Sequence, residues 1–147
     1  MTLSLDDFTA GGVHAFLAKQ HEAQRAEAAA QAAHARAERE KLRAAFAGQG
    51  LPADALEKVL GLVRRALEAD PHAKEVMLLH FPSEFMADSG RSITSHDPDW
   101  AKQLTGVAAR AHAAFVKELA PRGFQMAAQI LDYPGGMPGD VGLFLRW

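Results

Sequence analysis

The chain has 147 residues, and its 16 Lys and Arg against 18 Asp and Glu give a formal net charge of −2 at pH 7. This length fits one domain with an appendage, and the balanced charge disfavours nucleic-acid binding, which usually needs a basic domain or stripe. The chain has no cysteine, so disulfides and thiolate metal sites are excluded. No basic-then-apolar leader and no apolar run of roughly 18–20 residues is present, so we expect a cytoplasmic protein that does not contact membranes.

The first fifty residues are expected to be a short leader followed by one long helix. Residues 1–12 end in Gly11-Gly12, a break signal, and are predicted to be a flexible leader. From Val13 to about Ala47 helix-forming residues dominate, alanine above all, until Gly48-Gln49-Gly50 ends the pattern. Residues 13–50 are therefore predicted to be an alanine-rich helix for oligomerisation or partner binding.

This predicted helix has almost nothing bulky to bury. Between Gln20 and Lys41 no apolar residue is larger than alanine, so the helix is expected to contact its own body, a second copy of the chain or another protein. A seven-residue repeat, the pattern of helices that pack along a seam, marks candidate partner-binding positions. They are Phe16, Ala23, Ala30, Ala37 and Ala44.

Residues 51–147 are expected to form a compact domain that begins with a helix over residues 51–69. Its apolar residues recur at the spacing of one helix face, which predicts a buried face. They are Leu51, Ala55, Leu56, Val59, Leu60, Val63 and Leu67.

The rest of this domain alternates strands and one helix. Glu75 to Phe81 is predicted to be a strand, and because it is apolar on both faces we expect a covering layer on each side. A polar stretch without its own periodicity follows, and Asp97-Pro98 then predicts a helix start, with the helix continuing to about Ala120. Residues 124–133 alternate as strands do, and residues 141–147 are predicted to be the last strand.

The order helix, strand, helix, strand, strand predicts an α+β fold with a small three-stranded mixed sheet. A right-handed crossover joins the first two strands, and a short connection makes the last two an antiparallel hairpin. The favoured arrangement is a split βαβ unit with spatial order 1-3-2, and order 1-2-3 is the alternative.

The polar segment 83–97 holds the candidate ligand-binding residues. A carboxylate, a guanidinium, an imidazole and several hydroxyls lie close together after a strand, which suits a small anionic ligand with a proton-transfer group. Turn formation and helix capping by the same side chains is the structural alternative. The candidates are Asp88, Ser89, Arg91, Ser92, Thr94 and His96.

Other chemistries find little support. The glycine-rich segment 134–140 precedes a strand, whereas phosphate-binding loops open a helix. His14 and His21 lie two turns apart on the predicted helix, about 10 Å, which is too far to share a metal ion. We therefore predict no catalytic residue, no metal site and no cofactor.

Three functions remain open at this stage. The favoured one is a non-catalytic oligomerisation or protein-interaction module, which associates with a second copy or another protein. The first alternative is a small-molecule or anion binder, or an enzyme, that uses segment 83–97. The second alternative is a nucleic-acid-associated factor that uses a basic stretch interleaved with acidic residues. That stretch comprises Arg36, Arg39, Lys41 and Arg43.

Overall fold

The computed structural model describes residues 3–147, apart from the side chain of Asp7, and shows an α+β protein with 60% helix and 15% strand. Met1 and Thr2 of the expected leader lie outside the described residues. The helices are α1 (Ala10–Gly48), α2 (Ala55–Ala69), α3 (Arg91–Thr94) and α4 (Gly106–Glu118). The strands are β1 (Glu75–Pro82), β2 (Gln125–Ile130) and β3 (Asp140–Arg146). The chain divides into two compact units, the first ending at Arg43 and the second extending from Ala44 to Trp147.

In the first unit, α1 begins at Ala10 and continues through Gly11-Gly12, so the predicted break at these glycines is wrong. Thr9 explains the early start, because its hydroxyl accepts a 3.0 Å hydrogen bond from the Gly12 N–H and its carbonyl accepts one of 2.9 Å from Val13. These bonds satisfy N–H groups that a helix start otherwise leaves without partners. As the composition suggested, α1 has no buried residue.

The second unit contains the three-stranded sheet, in the order β1-β3-β2 that the sequence favoured. Both β1 and β2 pair with β3 in antiparallel register, so the expectation of a mixed sheet is wrong: the two mutually parallel strands are separated by β3. This order makes β3 the central strand and β1 an edge strand.

The core of the second unit lies on one face of this sheet. Val141, Leu143 and Leu145 of β3 alternate along the strand and are completely buried. Phe115 of α4 belongs to the same hydrophobic cluster as Leu145, and Val59 and Val63 of α2 pack against that cluster, so the two helices share this face. On the opposite face Met77 is 41% exposed and Phe144 belongs to neither hydrophobic cluster of the described residues. The expectation that β1 is covered on both faces is therefore wrong.

The start of α4 also differs from the sequence prediction. Asp97-Pro98 leads only into a 3₁₀ turn, and the α-helix begins nine residues later than Asp97, at Gly106. The reason is tertiary. Leu104 is buried in the core and the Thr105 hydroxyl donates a hydrogen bond to the Phe85 carbonyl, which holds the chain extended at this point.

The C-terminal end of α1 is anchored within the second unit. The Phe46 ring lies 5.1 Å, between centroids, from each of the rings of Phe81 and Phe85. The Arg110 guanidinium donates hydrogen bonds of 2.8 Å to the Ala47 carbonyl and 2.7 Å to the Gln49 carbonyl. A cation with a planar fork of donors is well suited to the carbonyl groups at a helix end.

Candidate functional site

Segment 83–97 is ordered, although the sequence shows no periodicity there. Residues Ser83–Phe85 form a 3₁₀ turn and Arg91–Thr94 form α3, while Phe85 and Ile93 are buried in the core. Short-range hydrogen bonds, which a periodicity argument does not detect, give this segment its structure.

Asp88 organises the middle of this segment. Its carboxylate accepts hydrogen bonds from the N–H groups of Gly90, at 3.0 Å, and Ser92, at 2.7 Å. Burial by itself would raise the pKa of Asp88, but donors from Ser92 and Gly90 outweigh that effect and lower the pKa. The N–H groups that could bind an anion at this turn are therefore already occupied by a carboxylate of the same segment.

The other candidate ligand residues do not converge on one point. The Thr94 hydroxyl donates to the Arg91 carbonyl at 3.0 Å, while the Arg91 side chain is exposed and makes no ion pair with a described residue. Ser89 and His96 both have positive φ angles, of 56° and 57°, and both are exposed. The geometry gives this group of residues a role in local structure, and a role in ligand binding stays a prediction.

Segment 134–140 meets segment 83–97 at Ser83. The Ser83 N–H donates to the Gly139 carbonyl at 2.9 Å, and its buried hydroxyl donates to the Pro138 carbonyl at 3.0 Å. Asp132 closes the same loop by accepting a 2.8 Å hydrogen bond from the Asp140 N–H. These bonds join the two loops as a structural unit and use the Ser83 hydroxyl for that purpose.

Metal-binding clusters and membrane-spanning helices are two further features that would indicate a function. Across residues 3–147, no group of three or more His, Asp or Glu side chains is placed to hold a metal ion. His80 is exposed on the edge strand, where its Nδ1 lies 3.7 Å from a carboxylate oxygen of Asp140. Within the same residues, none of the helices is both long enough and apolar enough to cross a membrane.

The most unusual surface belongs to α2. Although its sequence is strongly amphipathic, none of its residues is buried, so the prediction of a buried face is wrong. Leu60 is 56% exposed, and Leu56 and Leu67 are 40% and 38% exposed. The contacts with the core come instead from Val59 and Val63, which lie beside them on the helix.

The width of the apolar surface explains this exposure. At about 100° per residue, the apolar side chains of α2 cover an arc of about 160°, from Leu62 round to Leu60. A sheet contacts only part of so wide an arc. The excess width is a sequence signal of a second contact surface, which the prediction of a single buried face overlooked.

The exposed part of α2 lines an apolar groove of about 230 Å³. One wall is α2 itself, with the apolar residues Leu56, Val59, Leu60 and Val63 and with Glu57. The other wall comes from the end of the crossover and the sheet, with Leu119, Phe124, Leu145 and the aliphatic part of Arg122. We call the residues Leu56, Leu60, Val63 and Leu67 the α2 seam.

The partner-binding positions predicted in α1 are also at the surface. Ala23, Ala30 and Ala37 are exposed, and Phe16 is half-buried within the first unit. Ala44 is exposed in the second unit. Such small side chains offer little area to a partner, and their role stays a prediction.

Comparison of the chain with protein-family models, curated protein sequences and solved structures gives no significant match. Function is therefore inferred here from the geometry of the described residues.

Proposed function

We propose that this protein is a non-catalytic self-association module in which the α2 seam contacts a second copy of the chain. The observation that carries the proposal is a strongly amphipathic helix without a buried residue, whose most exposed large side chains are leucines. Contiguous apolar surface of this kind marks interaction sites in proteins that fold in water. The proposal retains a cytoplasmic location, which depends on the sequence alone.

The spacing of the α2 seam indicates that the partner surface is a helix. Leu56, Leu60, Val63 and Leu67 follow one another at alternating intervals of four, three and four residues. This is the spacing of the a and d positions of helices that pack along each other. Because α2 carries such a stripe itself, a second α2 provides the matching surface.

The exposed area sets the expected strength of the contact. The exposed fractions of Leu56, Leu60 and Leu67 together amount to a little more than one fully exposed leucine. Burying that surface is worth about 2–4 kcal/mol per copy. In a symmetric pair this gives about 4–8 kcal/mol, which is comparable with the cost of losing free translation and rotation. At the favourable end of both ranges about 4 kcal/mol remains, so we expect a weak dimer with a dissociation constant of about 1 mM.

Sedimentation velocity of the full chain between about 10 μM and about 1 mM tests this function. The expected result is a concentration-dependent shift from monomer to dimer, which Leu60→Lys abolishes. Because Leu60 is mostly exposed, this variant should keep the far-ultraviolet circular dichroism of the wild type. A wild-type protein that stays monomeric over the whole range would overturn the proposed function.

Ala30→Lys serves as a matched control, because Ala30 is an exposed residue of the seven-residue repeat predicted in α1. It should leave the dimer intact. If Ala30→Lys dissociates the dimer and Leu60→Lys does not, self-association occurs through α1, as the repeat predicts, and the role assigned to α2 is wrong.

A further inference from the structure

β2 is an edge strand with unpaired backbone groups on its outer side. The Leu131 N–H donates to the Asp140 carbonyl of β3 at 2.8 Å, and residues that bond to a neighbouring strand alternate with residues that do not. Every second residue before Leu131 therefore bonds to β3, and the N–H and C=O groups of those between them point outward. None of these outward groups has a hydrogen-bond partner among the described residues. We call the outward residues the β2 edge, which comprises Met126, Ala128 and Ile130.

The opposite edge of the sheet, β1, is protected against pairing with another strand. The backbone groups of Lys74 and Ser83, directly beyond its two ends, bond toward β3, so those of the neighbouring Glu75 and Pro82 point outward. The register with β3 shifts after Met77, which marks a bulge. A charge, a proline without an N–H and a bulge are features that keep edge strands from pairing. β2 has none of them, because its register is regular and its sequence contains neither a charged residue nor a proline.

A positive charge lies beside one end of the β2 edge. α3 packs against β2, and a Cβ atom built on Gly90, directly before α3, would lie 3.6 Å from the Ile130 Cδ1. Arg91, the first residue of α3, is exposed and makes no ion pair with a described residue. The nearby carboxylate of Asp88 accepts two backbone N–H groups, and that of Asp132 accepts one on the side of β3. A ligand at this end therefore meets the Arg91 guanidinium.

We propose that the β2 edge binds an extended acidic peptide of another protein as a fourth strand of the sheet. The added strand runs antiparallel to β2, as the neighbouring strands of this sheet do. Its N-terminal end then lies beside Ile130, where an acidic residue contacts Arg91. Backbone hydrogen bonds attach the peptide, and the charge sets its direction. The inference goes beyond the proposed function, because the β2 edge shares no residue with the α2 seam.

A second copy of β2 fits this edge less well than an acidic peptide does. Between Phe124 and Leu131 the chain has no acidic residue to place beside Arg91. A two-fold antiparallel pair would instead bring Arg91 of each copy toward the beginning of the other β2, which Arg122 precedes by three residues. Like charges would then approach each other at both ends of the contact. The charge beside the edge therefore favours a partner that is itself acidic.

Two peptides of about nine residues, about 30 Å when extended, test the binding and its direction. EETVTVTVT and TVTVTVTEE, both with blocked ends, have the same composition and carry their acidic residues at opposite ends. By fluorescence anisotropy the first should bind about fivefold more tightly than the second. Hydrogen exchange followed by nuclear magnetic resonance should show that the first peptide protects the amides of the three β2 edge residues.

Charge variants test the role of Arg91. Arg91→Glu should bind EETVTVTVT about tenfold more weakly than the wild type does, and should prefer the basic peptide KKTVTVTVT. Arg65→Glu is the matched control, since Arg65 is an exposed residue of α2 and the change in charge is the same. It should leave the affinity for both peptides unchanged. An effect of Arg65→Glu equal to that of Arg91→Glu would show a general charge effect and would overturn the inference.

Ala128→Pro tests the backbone contact. It removes the central outward N–H and no hydrogen bond to β3, as prolines in edge strands do, and it should abolish peptide binding. Circular dichroism and thermal unfolding establish that this variant is folded; if it is not, the exchange protection in the wild type decides. Leu60→Lys should bind the peptide as the wild type does, because Leu60 belongs to the α2 seam.

The outcomes separate this inference from the proposed function. Absence of peptide binding, equal affinities for EETVTVTVT and TVTVTVTEE, or protection of amides other than those of the β2 edge would each show that the inference is wrong. Protection of the β2 edge amides that increases with protein concentration, without any peptide, would show that a second copy covers the edge and would also refute it. A wild type that stays monomeric but binds the peptide would refute the proposed function and leave this inference standing.

Discussion

Gly106 gives the most direct test of how the second unit is assembled. This residue has a φ of +55°, and a Cβ atom built on it would lie 2.5 Å from the Phe46 carbonyl oxygen and 2.9 Å from the Ala47 Cα. The left-handed backbone costs a residue with a side chain about 1–2 kcal/mol. Displacing the backbone of α1 adds about 1–3 kcal/mol, as overpacking usually does. Gly106→Ala should therefore lower the free energy of unfolding by about 2–5 kcal/mol.

Two other glycines separate these contributions. Gly123 has a φ of +92° with nothing within 4 Å of an added Cβ, so Gly123→Ala should cost only the backbone strain of about 1–2 kcal/mol. Gly61 lies inside α2, and its nearest neighbour would be the flexible end of Arg65 at 3.7 Å. Gly61→Ala should stabilise the protein by about 0.8–1 kcal/mol, because alanine is the better helix former.

Urea unfolding at low protein concentration is the appropriate assay, since self-association then makes no contribution to the midpoint. The expected order of stability is Gly61→Ala, wild type, Gly123→Ala and Gly106→Ala, with unchanged m values. If Gly106→Ala and Gly123→Ala destabilise the protein equally, the end of α1 does not lie against Gly106. The anchoring described for Phe46 would then be wrong.

Two further predictions concern polar contacts. Arg110→Ala removes both hydrogen bonds to the Ala47 and Gln49 carbonyls and should lower the free energy of unfolding by about 1–3 kcal/mol. Arg110→Lys should have a stability between those of the wild type and Arg110→Ala. Equal stability of all three proteins would contradict this prediction. The folded protein holds the pKa of Asp88 below its unfolded value of about 3.9. The ionised carboxylate therefore stabilises the fold above that pH. This stabilisation is lost as the pH falls through the lowered pKa. Acid titration followed by circular dichroism should therefore show a weaker pH dependence below about pH 4 in Asp88→Asn, and identical acid transitions would disprove this role.

Much of the fold could be predicted from local patterns. Alanine and charged residues without an internal proline predict α1, and period-two alternation predicts β2. The adjacency of β2 and β3 also follows from the sequence, because a short connection makes them a hairpin, and the structure decides for order 1-3-2 over 1-2-3. These features depend on neighbours along the chain, or on general rules of chain connection.

The errors share a physical cause. The break predicted at Gly11-Gly12 is absent because Thr9 caps the helix before them, and α4 begins late because Leu104 enters the core. Segment 83–97, expected to have no regular structure, is organised by the carboxylate of Asp88. In each case a specific contact outweighs a modest local preference, and periodicity does not report such contacts.

By itself, the sequence of this protein determined that α1 and α2 are helices, that there are three strands, that α1 has little to bury, and that α2 has an apolar stripe. Only the tertiary structure decided how much of that stripe is covered. The core lies on one face of a small sheet that α2 shares with α4, and Val59 and Val63 take up the contact while Leu56, Leu60 and Leu67 stay exposed. A pattern of apolar residues specifies a surface that avoids water, and the number of neighbours available in the folded chain decides how much of it is buried.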